Sequence, residues 1–106
     1  SLEKILEKGE LLDLYGKLLT QRQRECLELY YNKNLTLAEI ADYFHISRQA
    51  VHDAMRHGEE QLSLYEETLH LAGDAWKRRR AVLALEALLP GEVKEKAAPF
   101  LKVLTD

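Results

Sequence analysis

The chain has 106 residues, which fits one domain of ordinary size or a small domain with a dimerisation extension. It carries 15 Lys and Arg against 18 Asp and Glu, a formal net charge of −3, and 46% of its residues are hydrophobic. This composition excludes an intrinsically disordered chain and disfavours a protein that coats nucleic acid without specificity. Leu supplies 21 residues and Ala 11, whereas Val, Ile and Thr together supply only 11, so the composition predicts an all-α fold.

Several classes of protein are disfavoured by the residue types and their spacing. A single cysteine, Cys26, excludes an internal disulfide and a Cys-rich zinc site. The most apolar stretch, 81–89, is short and contains Glu86, so we expect no membrane insertion, no secretory leader and a cytoplasmic location. There is no Gly-rich phosphate loop, and His52 and His57 miss the i, i+4 spacing of helical metal ligands. We therefore expect no catalytic residue, no metal and no cofactor.

The first two helices are predicted from an apolar stripe and from a capping box. The first is expected over residues 2–19, although two glycines inside it each weaken it by about 1 kcal/mol relative to Ala. Its apolar stripe is expected to comprise Ile5, Leu12, Tyr15 and Leu19, with Leu11, Leu14 and Leu18 beside it. Thr20 and Gln23 have the spacing of a capping box, which opens a second helix through Tyr31. The inward residues of this helix are expected to be Cys26, Leu27 and Tyr30.

Two more helices are predicted, with only a short turn between them. Thr36 and Glu39 have the spacing of a second capping box, which opens a helix to about Phe44. Ser47 is the next candidate N-cap and lies three residues beyond Phe44. From Ser47 the helical pattern continues without a breaker to about Leu71.

A change of helix is predicted near Gly73 and Asp74, which have the pattern of a helix stop followed by a new N-cap. This pattern divides the chain into a helical domain over 1–72 and a C-terminal helical extension over 73–106. The extension either belongs to the same compact unit or serves as a dimerisation element. It is expected to contain two helices, with a proline break in the second: 75–89, 92–104 and Pro99.

The segment from Leu37 to His57 has the pattern of a helix-turn-helix motif, in which the second helix presents polar side chains to DNA. Its apolar framework is expected to comprise Ile40, Ala41, Phe44, Ile46, Val51 and Ala54. Ala41 lies where the two helices are expected to cross closely. His45 occupies the turn position where such motifs usually carry glycine, because the backbone there tends towards positive φ.

Five polar residues are expected to project from consecutive turns of the second helix: Arg48, Gln49, His52, Asp53 and Arg56. Arg can bond guanine through two acceptors, Gln can do the same with adenine, and Asp can accept from cytosine. For contacts that position the DNA backbone we expect Thr36, Ser47 and Lys33, because helix N-termini offer free N–H groups to phosphate oxygens. The alternative is that all of these residues form an ordinary solvated surface.

Four segments carry a resemblance to a known family: LLTQRQ at 18–23, LYY at 29–31, LAEIA at 37–41 and ISRQAVHD at 46–53. Together they resemble the YlxM family of small bacterial helix-turn-helix proteins, whose DNA-binding part is similar to the fourth conserved region of sigma factors. The resemblance is continuous over about 11–71 and looser beyond Gly73. It implies a regulatory DNA-binding protein linked to the signal recognition particle pathway, because the family's genes neighbour the genes of that pathway.

Apolar or small residues recur in alternating steps of four and three along the long helix and beyond it; this seam comprises Val51, Met55, Gly58, Leu62, Tyr65, Leu69, Ala72 and Trp76. Such spacing is typical of a coiled-coil contact. The seam either packs inside the monomer against the first helix or joins two subunits, which would suit a reader of two DNA half-sites. We expect a homodimer in which Leu62, Tyr65 and Leu69 meet the partner.

Residues 77–80, Lys-Arg-Arg-Arg, are the only concentrated positive charge in the chain. This cluster either binds phosphates, pairs with the acidic helix before it or with that helix's copy in a partner, or forms a solvated surface. Trp76 beside it is expected to be a core anchor. The expected function is regulatory binding of double-stranded DNA. The alternative, which the acidic balance favours, is a protein-interaction adaptor on the same scaffold that contacts signal recognition particle components rather than DNA.

Overall fold

A computed structural model describes residues 2–106, with the side chains of all of these except residues 2, 3 and 5. All regular secondary structure in this range is helical, which confirms the predicted all-α fold. The helices are α1 (Leu2–Tyr15), α2 (Gln21–Tyr31), α3 (Leu37–Phe44), α4 (Arg48–Leu69), α5 (Leu71–Leu88) and α6 (Gly91–Thr105). Across residues 2–106, none of the helices combines the length and the apolar character needed to cross a membrane.

The chain divides into two compact units between His70 and Leu71. At this point α4 ends, because His70 adopts the left-handed conformation with φ 57° and donates its N–H to the carbonyl oxygen of Glu66. The predicted helix stop at Gly73 is wrong: no glycine among residues 2–106 has a positive φ, and Gly73 lies inside α5. Histidine enters the left-handed region at less cost than branched residues do, so this helix ends without a glycine.

The first unit is built around α4, which packs against α1, α2 and α3. The buried side of α4 consists of four consecutive seam residues: Val51, Met55, Gly58 and Leu62. The most deeply buried side chains of the other three helices are Tyr15, Cys26, Leu27 and Ile40. This part of the seam therefore packs within the chain. The prediction that Leu62 meets a partner subunit is wrong, because this side chain is 2% exposed in the single chain.

Tyr65 is the next seam residue, and it also packs within the first unit. Its hydroxyl donates to the carbonyl oxygen of Leu18 at 3.4 Å, and its ring centroid lies 5.9 Å from that of Tyr15. Leu69 is 48% exposed, and the regular seam ends there because the helix itself ends. The α4 seam thus forms the centre of the monomer's own core.

The first helix is shorter than predicted, because α1 ends at Tyr15 and Gly16 opens a 3₁₀ turn, Gly16–Leu18. A 3₁₀ turn rotates more per residue than an α-helix, so Leu18 within this turn lies away from the core, whereas Leu19 directly after the turn is buried. Leu18 is accordingly 56% exposed, and Leu14 at the edge of the stripe is 42% exposed. The stripe residues Leu12, Tyr15 and Leu19 are buried as predicted, and Leu11 beside them is buried as well. The side chain of Ile5 lies outside the described residues.

The capping box that opens α2 is present as predicted. The Thr20 hydroxyl accepts from the N–H of Gln23, and the Gln23 side-chain oxygen accepts from the N–H of Thr20, both at 3.2 Å. At the other end of α2 the prediction is wrong for Tyr30, which is 39% exposed. The neighbouring Tyr31 is half-buried instead, because its hydroxyl donates to Glu59 of α4 at 2.7 Å.

The second unit consists of α5 and α6, which pack against each other. Its α6 is continuous, so the predicted break at Pro99 is wrong. Proline removes a hydrogen bond to the carbonyl oxygen of Glu95, but both residues are exposed and water can bind that oxygen. Trp76 of α5 is 54% exposed, so it is not the core anchor that we expected.

Gly58 allows α4 to approach α2 closely. A Cβ atom at this position would lie 2.8 Å from Cδ1 of Leu27 and 3.3 Å from Cβ of Gln23. Both distances are shorter than ordinary van der Waals contact. Leu27 is 1% exposed, so a shift of its side chain would disturb its other contacts in the core.

Gly58→Ala should therefore lower the free energy of unfolding by about 1 kcal/mol, because overpacking outweighs the gain in helix propensity. Gly9→Ala is the matched control, since nothing lies within 4 Å of a Cβ atom there. This control should raise the free energy of unfolding by up to about 1 kcal/mol. Urea denaturation measures both changes, and a stabilised Gly58→Ala protein would contradict the close approach of the two helices.

Candidate nucleic-acid interface

Helices α3 and α4 are joined by a three-residue turn, 45–47, in the helix-turn-helix order predicted from the sequence. His45 adopts the predicted left-handed conformation, with φ 57° and ψ 44°. The N–H of Ile46 donates to the carbonyl oxygen of Ala41 at 3.0 Å, and the N–H of His45 donates to that of Asp42 at 3.3 Å. This pair of bonds is the Schellman arrangement, which ends α3 and directs the chain into α4.

The apolar framework of the motif is packed as predicted. Ile40 and Val51 are fully buried, and Ala41 is 5% exposed. The other framework residues are half-buried: Phe44, Ile46 and Ala54. Because these residues hold one side of α4 against the rest of the unit, the opposite side of its N-terminal part faces solvent.

The five residues predicted to read bases lie along the first nine positions of α4, which is about two and a half helical turns. Four of them are exposed, namely Arg48, Gln49, His52 and Arg56, and Asp53 is half-buried. Arg48 makes no hydrogen bond or ion pair with any residue in the range 2–106. Its guanidinium group is therefore available to a ligand without the loss of an internal contact.

The other four residues are engaged with neighbours on α4 itself. The side-chain amide of Gln49 donates to Oδ1 of Asp53 at 2.9 Å, and Nδ1 of His52 lies 3.8 Å from the same oxygen. Nη1 of Arg56 donates to Oε1 of Glu60 at 3.1 Å. Exposed pairs of this kind contribute less than about 1 kcal/mol, so a base edge or a phosphate can replace them at low cost.

The N-termini of α3 and α4 differ in their electrostatics. At α3 the Thr36 hydroxyl accepts from the N–H of Glu39 at 3.1 Å, and the Glu39 carboxylate accepts from the N–H of Thr36 at 3.0 Å. At α4 the Ser47 hydroxyl accepts from the N–H of Ala50 at 3.0 Å, and the first turn contains no acidic residue. The positive end of the helix dipole is thus partly neutralised at α3 and unopposed at α4.

Two basic residues outside α4 add positive charge to the surface of the first unit. Lys33, which was predicted, is exposed in the loop before α3. Arg22 of α2 was not predicted, and its guanidinium carbon lies 4.4 Å from the ring centroid of Phe44 in α3. No local pattern in the sequence indicates this cation–π contact, because it arises from the packing of α2 on α3.

Further along α4, Glu59 joins three helices of the first unit. Its Oε1 accepts from the Tyr31 hydroxyl of α2 at 2.7 Å, and its Oε2 accepts from Nζ of Lys8 in α1 at 3.1 Å. Burial, together with the hydrogen bond and the negative charge of Glu59, raises the pKa of Tyr31 above its ordinary value. These bonds join α4 to α1 and α2 and so help to fix its position in the first unit.

The single cysteine of the chain lies in the packed core of the first unit. Cys26 is fully buried, and burial raises the pKa of its thiol although Arg22 acts in the opposite direction. It therefore packs as the small core residue that we expected. Within residues 2–106, no group of three or more His, Cys, Asp or Glu side chains is placed to hold a metal ion.

The fold and the geometry of α3 and α4 define a helix-turn-helix protein. The family described as "Putative helix-turn-helix protein, YlxM / p13 like" (UPF0122) matches residues 2–97, and the chain belongs to this family, as its resemblance predicted. A UPF0122 protein of Desulforamulus reducens is 42% identical over 103 residues, covering 91% of this chain and 88% of that protein. UPF0122 proteins of Bacillus cereus and Bacillus anthracis are each 44% identical over 91 residues, covering 86% of this chain and 83% of each relative. The description names a helix-turn-helix family and no known enzyme family.

Tyr31 should make the protein sensitive to alkali. The unfolded chain ionises this tyrosine near pH 10, whereas the folded chain keeps it protonated to higher pH. Its contribution to stability is therefore complete below about pH 10 and is lost as the pH rises through the raised folded-state pKa. Between about pH 9 and about pH 11, Tyr31→Phe should lose less free energy of unfolding than the wild type does.

Tyr43→Phe provides the matched control for this measurement, because Tyr43 is 66% exposed. Its free energy of unfolding should fall with pH as steeply as that of the wild type. Chemical denaturation at a series of pH values gives all three curves. If the Tyr31→Phe curve is as steep as the wild-type curve, the contact between Tyr31 and Glu59 does not control the titration.

Proposed function

We propose that this protein is a regulatory DNA-binding protein that places the N-terminal part of α4 in the major groove. The observation that carries the proposal is Arg48, an exposed guanidinium with no partner among residues 2–106. It directly follows the Ser47 cap, in a first turn that contains no acidic residue. The N-terminus of α4 thus combines a side chain suited to guanine with the positive end of the helix dipole.

In this proposal the exposed side of α4 reads the bases. Arg48 bonds two acceptors of guanine, and Gln49 bonds adenine through its amide. Asp53 accepts from Gln49 in the free protein and accepts from the amino group of cytosine in the complex. His52 and Arg56 lie further along the same side and contact bases or the nearest phosphates.

Phosphate groups are contacted mainly by the N-terminus of α4 at Ser47 and by Lys33. The N–H groups that follow the cap point towards an anion there. Thr36 is the weaker of the predicted phosphate contacts, because the Glu39 carboxylate is bonded at the same helix end and repels a phosphate. The protein therefore neutralises few phosphates when it binds.

The charge of the first unit supports a protein with low non-specific affinity. Residues 1–70 hold 8 Lys and Arg but 13 Asp and Glu. Non-specific binding depends almost entirely on neutralised phosphates, so it is weak for this chain. Recognition then depends on base contacts, which suits a regulator that occupies a small number of sites.

The proposed context is the signal recognition particle pathway, which the resemblance to the YlxM family implies, and the proposed location is the cytoplasm, where bacterial DNA is read. A second candidate function is a protein-interaction adaptor that contacts components of that particle rather than DNA. The acidic balance of residues 1–70 favours this candidate, because it opposes binding to a polyanion. The behaviour of Arg48 variants separates the two.

Arg48→Ala should cost about 1–3 kcal/mol of binding free energy at a preferred DNA site and relax base preference there. The preferred site is obtained by selection from a random DNA library at low ionic strength, and fluorescence anisotropy then measures the affinity. If the wild type enriches no motif and shifts no DNA at micromolar concentration, the adaptor becomes the better proposal.

Lys17→Ala is the control for loss of one positive charge. Lys17 is exposed and precedes Leu18, whose carbonyl oxygen bonds Tyr65 near the far end of α4. Seventeen residues of helix separate this point from Arg48, which is roughly 26 Å. Lys17→Ala should change the affinity by no more than about 0.5 kcal/mol. Equal losses in the two variants would indicate a general effect of charge and no contact by Arg48.

Asp53→Asn should strengthen binding to DNA of arbitrary sequence several-fold, because it removes a negative charge from the proposed interface and retains the acceptor for Gln49. Preference at the base pair that Asp53 reads should weaken at the same time. Glu67→Gln, an exposed position in the last part of α4, removes the same charge away from the interface and should change neither quantity. An unchanged preference in Asp53→Asn would place Asp53 outside the interface.

A further inference from the structure

The second unit leaves most of its large apolar side chains in solvent. Only three apolar residues of α5 and α6 are buried, namely Ala72, Val82 and Leu101. Nine large ones are exposed: Leu71, Trp76, Leu83, Leu85, Leu88, Val93, Phe100, Val103 and Leu104. Two helices of 18 and 15 residues cannot build a sufficient core alone, and units this small usually gain stability by association.

Four of these side chains lie on one side of α6, and we name them the α6 stripe: Val93, Phe100, Val103 and Leu104. Steps of seven and four residues from Val93 to Phe100 and Leu104 return to the same side of an α-helix, and Val103 adjoins them. Phe100 is 75% and Val103 is 76% exposed. One charged residue, Lys96, lies on the same side of α6, one turn before Phe100.

The apolar area of the α6 stripe is of the size that one partner contributes to an ordinary protein–protein interface. With these exposures, its four side chains present roughly 400 Å² of apolar surface. Apolar atoms supply somewhat more than half of a typical interface, so the stripe and its polar surroundings would bury roughly 700 Å² per chain. A standard interface buries about 800 Å² per partner.

The charges around the stripe are compatible with pairing between identical surfaces. Residues 71–106 hold seven Lys and Arg and five Asp and Glu, so two copies of this unit repel each other weakly. Lys96, which lies on the side of α6 that carries the stripe, forms an ion pair with Glu92 at 4.0 Å, so its charge is partly balanced within the helix. Two helical hairpins that pair through apolar sides make a four-helix bundle, which is a common solution for such elements.

We propose that the α6 stripe is the dimer interface of this protein and that its occupant is the α6 stripe of a second copy of the chain. A two-fold axis then relates the copies, so Phe100 and Leu104 of each chain pack against the stripe of the other. The inference extends beyond the proposed function, because self-association needs no DNA. It also replaces the α4 seam, whose residues Val51 to Leu62 are already buried within one chain.

Sedimentation equilibrium of the full chain without DNA, at tens of micromolar, tests this interface. The wild type should be a dimer, and Phe100→Glu should raise its dissociation constant by about 100-fold, because it buries a charge at the centre of the contact. Ala98→Glu adds the same charge to the other side of α6, where Ala98 is exposed, and should leave the dimer intact. A monomeric or tetrameric wild type overturns the proposal, as does a Phe100→Glu protein that stays dimeric.

Circular dichroism shows whether the Phe100→Glu substitution reduces the helical content of the protein. If its helical signal falls, Phe100→Ala replaces it, because alanine retains the helix and removes only apolar area. This variant should raise the dissociation constant by about 10-fold while its helical signal remains that of the wild type. Equal dissociation constants for the wild type and Phe100→Ala would overturn the proposal independently of any DNA measurement.

Discussion

The burial of one side of α4 is the constraint on which the rest of the structure depends. This 22-residue helix packs against the other three helices of its unit through Val51, Met55, Gly58 and Leu62. Because the rotation of a helix about its axis is set by the residues that it buries, the same contacts determine which residues remain outside. The exposure of Arg48 at the start of α4 is therefore a consequence of core packing. The absence of a side chain at Gly58 is part of this fit, because α2 occupies the space that a Cβ atom would need.

The two ends of α4 carry opposite electrostatic character for separate physical reasons. At its N-terminus the helix dipole and Arg48 are both positive, and no acidic residue lies in the first turn. Further along, Glu59 and Glu66 accept hydrogen bonds from the hydroxyls of Tyr31 and Tyr15, so acidic side chains there hold neighbouring helices. The acidic residues of α4 are therefore compatible with the proposed binding of DNA, because these carboxylates take part in packing and lie away from the N-terminus.

The two units bury their apolar residues to different extents. The first encloses its apolar residues within one chain, with α4 at the centre. The second has only two helices, and two cylinders in contact can cover only one side of each other. Side chains such as Phe100 and Val103 on α6 therefore remain in water within a single chain. This difference agrees with the proposals that the first unit recognises DNA and that the second unit associates with a second copy of the chain.

The features that the sequence by itself determined depend on residues that are close together along the chain. The capping boxes at Thr20 and Thr36, the cap at Ser47 and the left-handed His45 were all predicted, because each depends on residues within a few positions. The exposure of the candidate DNA contacts followed from helical periodicity in the same way. Periodicity identifies which side of a helix is apolar but not what covers that side, so only the tertiary structure showed that Leu62 packs within the chain. Long-range contacts likewise turned Tyr31 inward rather than Tyr30 and placed Arg22 over Phe44. The helix end at His70 rather than Gly73 was also not predicted, because residues other than glycine can adopt the left-handed conformation and the sequence does not show which of them does.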